Sequence, residues 1–220
     1  MFHCLVAILL SAALLVTVAD GSHRRRHRST SHSGPGSFDY YVMSLSWSPE
    51  HCAEPAGRDD KSQCGTQRTF AFVLHGLWPQ FDKGYPQSCS NVRLSTALRD
   101  SMLDVMPSAK LVDHEWTKHG TCSGLAPDAY FEKARAAFGS VKIPVAYQNP
   151  SDAFTTTVAE VEQAFGGENA RLQPNDIAVI CSGRFLQELR VCLDKDLQPR
   201  TCGSDIKDGC RGTITVRPVR

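Results

Sequence analysis

Two short stretches of this chain concentrate side chains that titrate near neutral pH. One is Asp113-His114-Glu115-Trp116-Thr117-Lys118-His119-Gly120, where two histidines, a lysine and two carboxylates crowd into seven residues before a glycine. The other is Phe72-Val73-Leu74-His75-Gly76-Leu77-Trp78-Pro79, an apolar run that leads directly into a histidine. Taken alone, a histidine after an apolar strand is more often a hydrogen-bonded core residue than a catalyst, and a tryptophan more often core than a stacking platform. The 113–120 cluster is harder to explain by solvation. On a helix, Glu115 and His119 stand at i, i+4, as do His114 and Lys118, so one turn carries paired titrating groups. This is not the His-Glu-x-x-His zinc signature: His114 and His119 are five apart rather than four, which adds about 100° of rotation.

Two histidines, a glutamate and a lysine without a metal suit cleavage of a phosphodiester by its own 2′-hydroxyl. That reaction needs a base for the hydroxyl proton, an acid for the leaving 5′-oxygen, and cations for the charge on the transition state. An imidazole titrates near pH ~6.5, so at mildly acidic pH one histidine can be neutral while its partner is protonated.

The elements that must hold these groups can be read from periodicity. Phe38 to Trp47 is aromatic, partly alternating and closed by Ser48-Pro49, which predicts a strand. Further strands are expected at Thr69 to Leu74, Ile177 to Cys181, around Leu189 to Leu193, and Thr213 to Val216. Helical patterns cover Ser95 to Met106, Asp113 to Cys122, Pro127 to Phe138 and Ser151 to Phe165, with Gly166-Gly167 as a stop. Strands at both ends around a helical middle predict an α+β domain with a central, largely antiparallel β-sheet flanked by helices.

The two clusters also carry a family resemblance. His75-Gly76-Leu77-Trp78-Pro79 and His114-Glu115-Trp116-Thr117-Lys118-His119-Gly120 resemble, in order and separation, the two active-site segments of the ribonuclease T2 family of secreted, base-nonspecific acid endoribonucleases. The likeness runs from the Tyr40-to-Trp47 strand to the Cys181-to-Cys210 end, and its details resemble bacterial members. It implies His119 as general base, His75 as general acid, Glu115 and Lys118 as transition-state stabilisers, His114 as a phosphate ligand and Trp78 as part of the base site. Gln80 stands where some members carry an aspartate that contacts the base. The implied reaction cleaves single-stranded RNA with low base specificity through 2′,3′-cyclic phosphates to 3′-phosphates. No cofactor and no metal is implied. The implied disulfides are Cys52–Cys64, Cys89–Cys122, Cys181–Cys210 and Cys192–Cys202.

The rest of the chain fits this reading without demanding it. Hydrophobic content of 41% and charged content of 21% are those of a soluble globular protein. With a net charge of only +1, RNA must be met by a local basic cleft rather than a global field. Leu5 to Val18 is an apolar run ending in small residues, so residues 1–20 are expected to be an export signal, leaving no membrane segment. Cys4 departs with it, and the remaining eight cysteines form an even set suited to four disulfides in a secreted or periplasmic protein; zinc ligation would want cysteines paired two to four residues apart, and the sequence has no such pair. Residues 21–37, Gly-, Ser-, His- and Arg-rich with nothing large to bury, are expected to be a disordered basic arm. One catalytic domain, 38–220, and a monomer complete the expectation. Two other classes compete: a secreted binding or signalling protein on the same fold, which would be expected to have lost a catalytic histidine, and a metal-dependent hydrolase, which would want clustered carboxylates at an open site.

Overall fold

The computed structural model describes Met1 and residues 34–220, except 56, 66 and 67. Apart from Met1, these belong to one compact unit, His32–Arg220. The export signal and most of the basic arm lie outside the described residues. The last four residues of the expected arm, 34–37, belong to the folded body: the Gly36 amide donates to the Cys122 carbonyl at 2.9 Å, and the Ser37 amide to Gly34 at 3.2 Å.

The strands are β1 (Tyr40–Trp47), β2 (Phe72–Gln80), β3 (Phe154–Thr156), β4 (Ile177–Ser182), β5 (Phe185–Leu193) and β6 (Ile214–Val216). The helices are α1 (Ser48–Ala53), α2 (Lys61–Cys64), α3 (Thr96–Asp100), α4 (Ala109–Lys118), α5 (Pro127–Ser140) and α6 (Val158–Glu168). The sheet runs β2-β1-β5-β6-β3, with β4 also paired to β5. All of these pairings are antiparallel except β5 with β6. The α+β class with a largely antiparallel sheet is therefore the observed one.

Alternation along β1 divides the sheet into two faces, because successive side chains on a strand point to opposite sides. Tyr41, Met43, Leu45 and Trp47 join Leu74, Leu77, Leu189 and Val191 in the main core. The helices close it with Trp116 from α4, Tyr130 and Phe131 from α5, and Phe165 from α6. Each such side chain contributes about 1.5–3 kcal/mol on burial. On the opposite face Tyr40, Val42 and Cys192 form a smaller cluster with Trp78, Cys202 and Ile206.

Several elements differ from the periodicity reading. The second strand does not stop at Leu74 but runs through His75-Gly76 to Gln80. The segment Ser151 to Phe165 is not one helix: Phe154–Thr156 pairs with β6, and α6 starts only after Thr157. Thr157 accepts from the Glu160 amide while Glu160 accepts from the Thr157 amide, a reciprocal cap that fixes the start. Helix α4 begins four residues earlier than Asp113, and a 3-10 turn, Gly120–Cys122, replaces its expected end. The two short helices α1 and α2 were not foreseen, although Pro49 in the first turn of one and the Asp60 cap of the other mark their starts, and they are stapled together by Cys52–Cys64. The remaining disulfides, Cys89–Cys122, Cys181–Cys210 and Cys192–Cys202, are the pairs the family resemblance implies.

Candidate active site

The site is assembled from β2, the end of α4 and β5. In the β1–β2 ladder Ser44 faces Gly76 and Leu45 faces Leu74, so His75 is an extra residue with no partner. Such a bulge re-aims side chains along a strand. His75 and Trp78, three residues apart, consequently look into one cavity and meet edge to face at 5.3 Å. Gly76 between them has to be glycine: a Cβ there would lie 2.0 Å from Glu115 Oε2 and 2.4 Å from Trp78 Nε1. Those two atoms are themselves bonded, the indole N–H donating to the carboxylate at 2.6 Å.

Helix α4 is locked by its neighbours, which explains how so polar a segment comes to be buried. Trp116 enters the core and donates its indole N–H to the Val92 carbonyl at 2.6 Å. Gly120 lets the chain turn over aromatic rings, since a Cβ there would meet Trp116 at 2.5 Å and Tyr130 at 2.8 Å. The Ser88 amide donates to the Lys118 carbonyl at 2.8 Å, and Cys89–Cys122 ties the same loop to the helix end. As a result Glu115 and His119 point inward at 1% and 5% exposure. Lys118 sits in the last turn of α4, where the helix dipole is negative.

Strand β5 brings a third group. Glu188 and Arg190 alternate onto the face they share with Ser46 and Ser44 of β1. Glu188 Oε2 lies 3.4 Å from His75 Nδ1, while Glu115 Oε1 lies 3.5 Å from His75 Nε2. Both are charge contacts rather than aligned hydrogen bonds. Arg190 Nε donates to the other oxygen of Glu188 at 2.5 Å, and its guanidinium lies 5.3 Å from the centre of the Trp78 ring.

The resulting cavity, about 380 Å³, is lined by all seven residues singled out from sequence: His75, Trp78, Gln80, His114, Glu115, Lys118 and His119. Tyr85, Glu188, Arg190 and Ile206 line it as well and were not foreseen. Tyr85 could have been noticed as an aromatic in a short Gly-Tyr-Pro loop. Glu188 and Arg190 gave no signal beyond the alternation of an ordinary strand. A larger depression, about 490 Å³, lies beside Cys202 but has no histidine in its lining. Among the described residues no group of three or more His, Cys, Asp or Glu is arranged to hold a metal ion.

The cavity drives its titrating groups apart. Burial would lower His75, but the Glu188 and Glu115 carboxylates outweigh it and its pKa is raised. Burial, then the cations Lys118, His114 and His75, push His119 down to about 3. Burial pushes Glu115 up to about 7 against the pull of His75 and the Trp78 hydrogen bond. Burial would also raise Glu188, yet its contacts with His75 and Arg190 bring it down to about 2. His114, more open, is lowered by partial burial and by Lys118. The two imidazoles of the cavity are thus shifted in opposite directions, His75 upward and His119 downward.

The aromatic surfaces are unequally available. Trp78 stacks on His119 at 5.2 Å and has Arg190 over its ring. Tyr85 is 46% exposed and stands 5.8 Å from His119, with the Lys118 ammonium 6.0 Å from its ring centre.

A model of the ribonuclease T2 family matches residues 38–202. The chain belongs to that family and is an endoribonuclease of the T2 type. A ribonuclease of Aeromonas hydrophila is 41% identical over 187 residues, covering 78% of this chain and 80% of that protein. A probable ribonuclease of Haemophilus influenzae is 31% identical over 180 residues, covering 76% of this chain and 61% of that protein. Among solved structures, the RNase-related protein from Calystegia sepium aligns with a TM-score of 0.67 at 23% identity, over 83% of this chain and 98% of that one, a likeness of fold.

Proposed function

We propose that the enzyme cleaves single-stranded RNA by transesterification, with His119 as base and His75 as acid. The observation that carries this reading is the pair of imidazoles flanking Trp78, driven in opposite directions by their surroundings. His119, neutral, takes the 2′-hydroxyl proton as that oxygen attacks phosphorus. His75, protonated, gives its proton to the departing 5′-oxygen, and a 2′,3′-cyclic phosphate remains. In the second step the roles reverse: His75 takes a proton from water, and His119 returns one to the 2′-oxygen, leaving a 3′-phosphate.

Lys118 and His114 supply positive charge to the phosphoryl oxygens. Glu115 would repel those oxygens as a carboxylate, but burial favours its neutral acid, which can donate a hydrogen bond to them. Tyr85 and Trp78 form the base platform beside Gln80, and stacking of this kind accepts any base. The enzyme works as a monomer without metal or cofactor. It is exported through the signal at residues 1–20 and acts outside the cytoplasm, as four disulfides favour. Among the described residues no helix is long and apolar enough to cross a membrane.

The decisive experiment uses RNA oligonucleotides carrying one deoxyribose at the scissile position, with chelator present. The deoxy position is expected to be bound but not cut, and chelator to leave the rate on ordinary RNA unchanged. Comparable cutting of the deoxy site, or loss of activity on chelation, would remove this mechanism.

A further inference from the structure

His75 is the one imidazole in the cavity that faces a carboxylate from each side. From α4, Glu115 approaches Nε2 at 3.5 Å; from β5, Glu188 approaches Nδ1 at 3.4 Å. Arg190, two residues further along β5, holds the second oxygen of Glu188 at 2.5 Å. The other charged or titrating groups that act on this region are Lys118, His114 and His119, all from the end of α4. Glu188 is 7% exposed, a cost that a solvated surface glutamate would not carry.

We propose that Glu188, anchored by Arg190, is a positioning residue for the reaction: it holds Nδ1 of His75 and thereby presents a proton-bearing Nε2 to the leaving 5′-oxygen. The inference rests on His75 being the general acid. The bookkeeping of protons follows from the geometry. With both ring nitrogens protonated, Nδ1–H faces Glu188 and Nε2–H faces the part of the cavity shared with Glu115. When the 5′-oxygen takes the Nε2 proton, the neutral ring that remains is the Nδ1–H form, still held by Glu188. Its Nε2 lone pair is then already placed to take a proton from water in the second step. The carboxylate orients the ring and favours the imidazolium, and it touches neither substrate nor the reacting proton.

The two carboxylates divide the work. Arg190 keeps Glu188 ionised, so it can attract the imidazolium. Among the described residues Glu115 has no arginine or lysine at hydrogen-bond distance; it accepts the Trp78 N–H and faces the His75 ring at 3.5 Å, and burial pushes its pKa up. Two glutamates around one histidine are thus shifted in opposite directions, and only Glu188 has an arginine bonded to it.

The test is Glu188→Gln, which keeps size and a potential acceptor but removes the charge. The upper limb of the pH–rate profile for RNA should move to lower pH, with a loss of about tenfold at neutral pH that shrinks toward acid. From uridine 3′-(4-nitrophenyl phosphate) the 4-nitrophenolate leaves without needing a proton, so the variant should cleave this substrate at close to the wild-type rate. A positional nuclear magnetic resonance titration of the His75 ring should move in the same direction, and Glu188→Asp should lie between the two. A loss equal on both substrates and constant with pH, or an unmoved His75 titration, would overturn the proposal. If Glu188→Gln fails to fold, Glu188→Asp decides by the same readings. The ring titration needs no turnover, so a wild-type protein that cut no RNA would sink the mechanism while leaving the Glu188–His75 coupling separately measurable.

Discussion

The two faces of strands β2, β1 and β5 are built from the same backbone and both exclude water from key side chains, the polar face less completely, yet to opposite ends. On one, Tyr41, Met43, Leu45, Leu77, Leu189 and Val191 lie in the main core. On the other, Ser44 and Glu188 are 0% and 7% exposed, and α4 adds Glu115 at 1% and His119 at 5%. Exclusion of water stabilises the first set, because apolar surface leaves contact with solvent. On the second it penalises charge, and the fold offsets that penalty only in part: Glu188 has Arg190, whereas His119 is driven to its neutral form. Burial therefore serves as cohesion on one face and as control of protonation on the other.

If that division holds, substitutions on the two faces should separate rate from stability. His119→Phe and His75→Phe are each expected to lower turnover by about 10²–10⁴-fold, the range of a general acid or base. His119→Phe should not lower the melting temperature, since it replaces a buried imidazole whose Nδ1 has no hydrogen-bond partner among the described residues. Leu45→Ala should do the converse, destabilising by about 2–5 kcal/mol while the folded fraction keeps near-normal activity. Thermal unfolding and single-turnover cleavage on the same preparations check both. A His119→Phe protein that unfolded as easily as Leu45→Ala would show that the polar face is part of the stabilising core after all.

The sequence made the two faces unequally legible. The core face of β1 is visible in its alternation, and the density of His114, Glu115, Lys118 and His119 marks α4 as a site. From the residues alone His75 was visible as the end of an apolar run, and only the family resemblance gave it a role; the bulge that aims it depends on pairing with Ser44 and Leu45, which local periodicity does not encode. Glu188 and Arg190 lie far along the chain in a strand whose alternation looks like an ordinary solvated face, and only register against β1 brings them to His75. The Ser151-to-Phe165 reading failed for a related reason. Phe154-Thr155-Thr156 is too short to show a strand period, and its pairing with β6 outweighs the surrounding helical pattern. The Thr157-to-Glu160 cap was in the sequence and would have placed the helix start.

A smaller effect follows from Glu115. Its folded-state pKa is raised by burial to about 7 from an ordinary 4.5, so the native state binds a proton that the unfolded chain has already released in that interval. Stability from this group is complete below about 4.5 and is lost as pH rises through about 7. Glu115→Gln, permanently neutral, should escape the loss. Its unfolding free energy relative to wild type should therefore rise between pH 5 and pH 8, by an amount on the order of 1–3 kcal/mol. Denaturation curves at the two pH values measure it directly. A difference of the opposite sign would mean that Glu115 is held as a carboxylate by His75, and that it does not donate to the phosphoryl group as a neutral acid.

The smallest effect concerns Gln80, which lies at the end of β2, 2% exposed, and lines the same cavity as Tyr85. Its amide offers both a donor and an acceptor, so it can meet either the carbonyl or the amino edge of a stacked base. Gln80→Asp would leave an acceptor alone once ionised, and an acceptor favours the bases that carry an amino group, adenine, cytosine and guanine, over uracil, which has none. One hydrogen bond to a charged group is worth about 1.5–3 kcal/mol at most in a dry site, and partial solvation of the base reduces it, so the preference should change by roughly tenfold rather than become absolute. Because the site excludes water, a carboxylate there is itself pushed toward its neutral form, and the change in preference should be weak in acid and grow toward neutral pH. Digestion of a mixed oligonucleotide library at two pH values, with cleavage sites counted by the base on their 5′ side, measures both. A cleavage pattern that is the same for wild type and Gln80→Asp at neutral pH would place base discrimination on Tyr85 and Trp78 stacking alone and remove Gln80 from the base site.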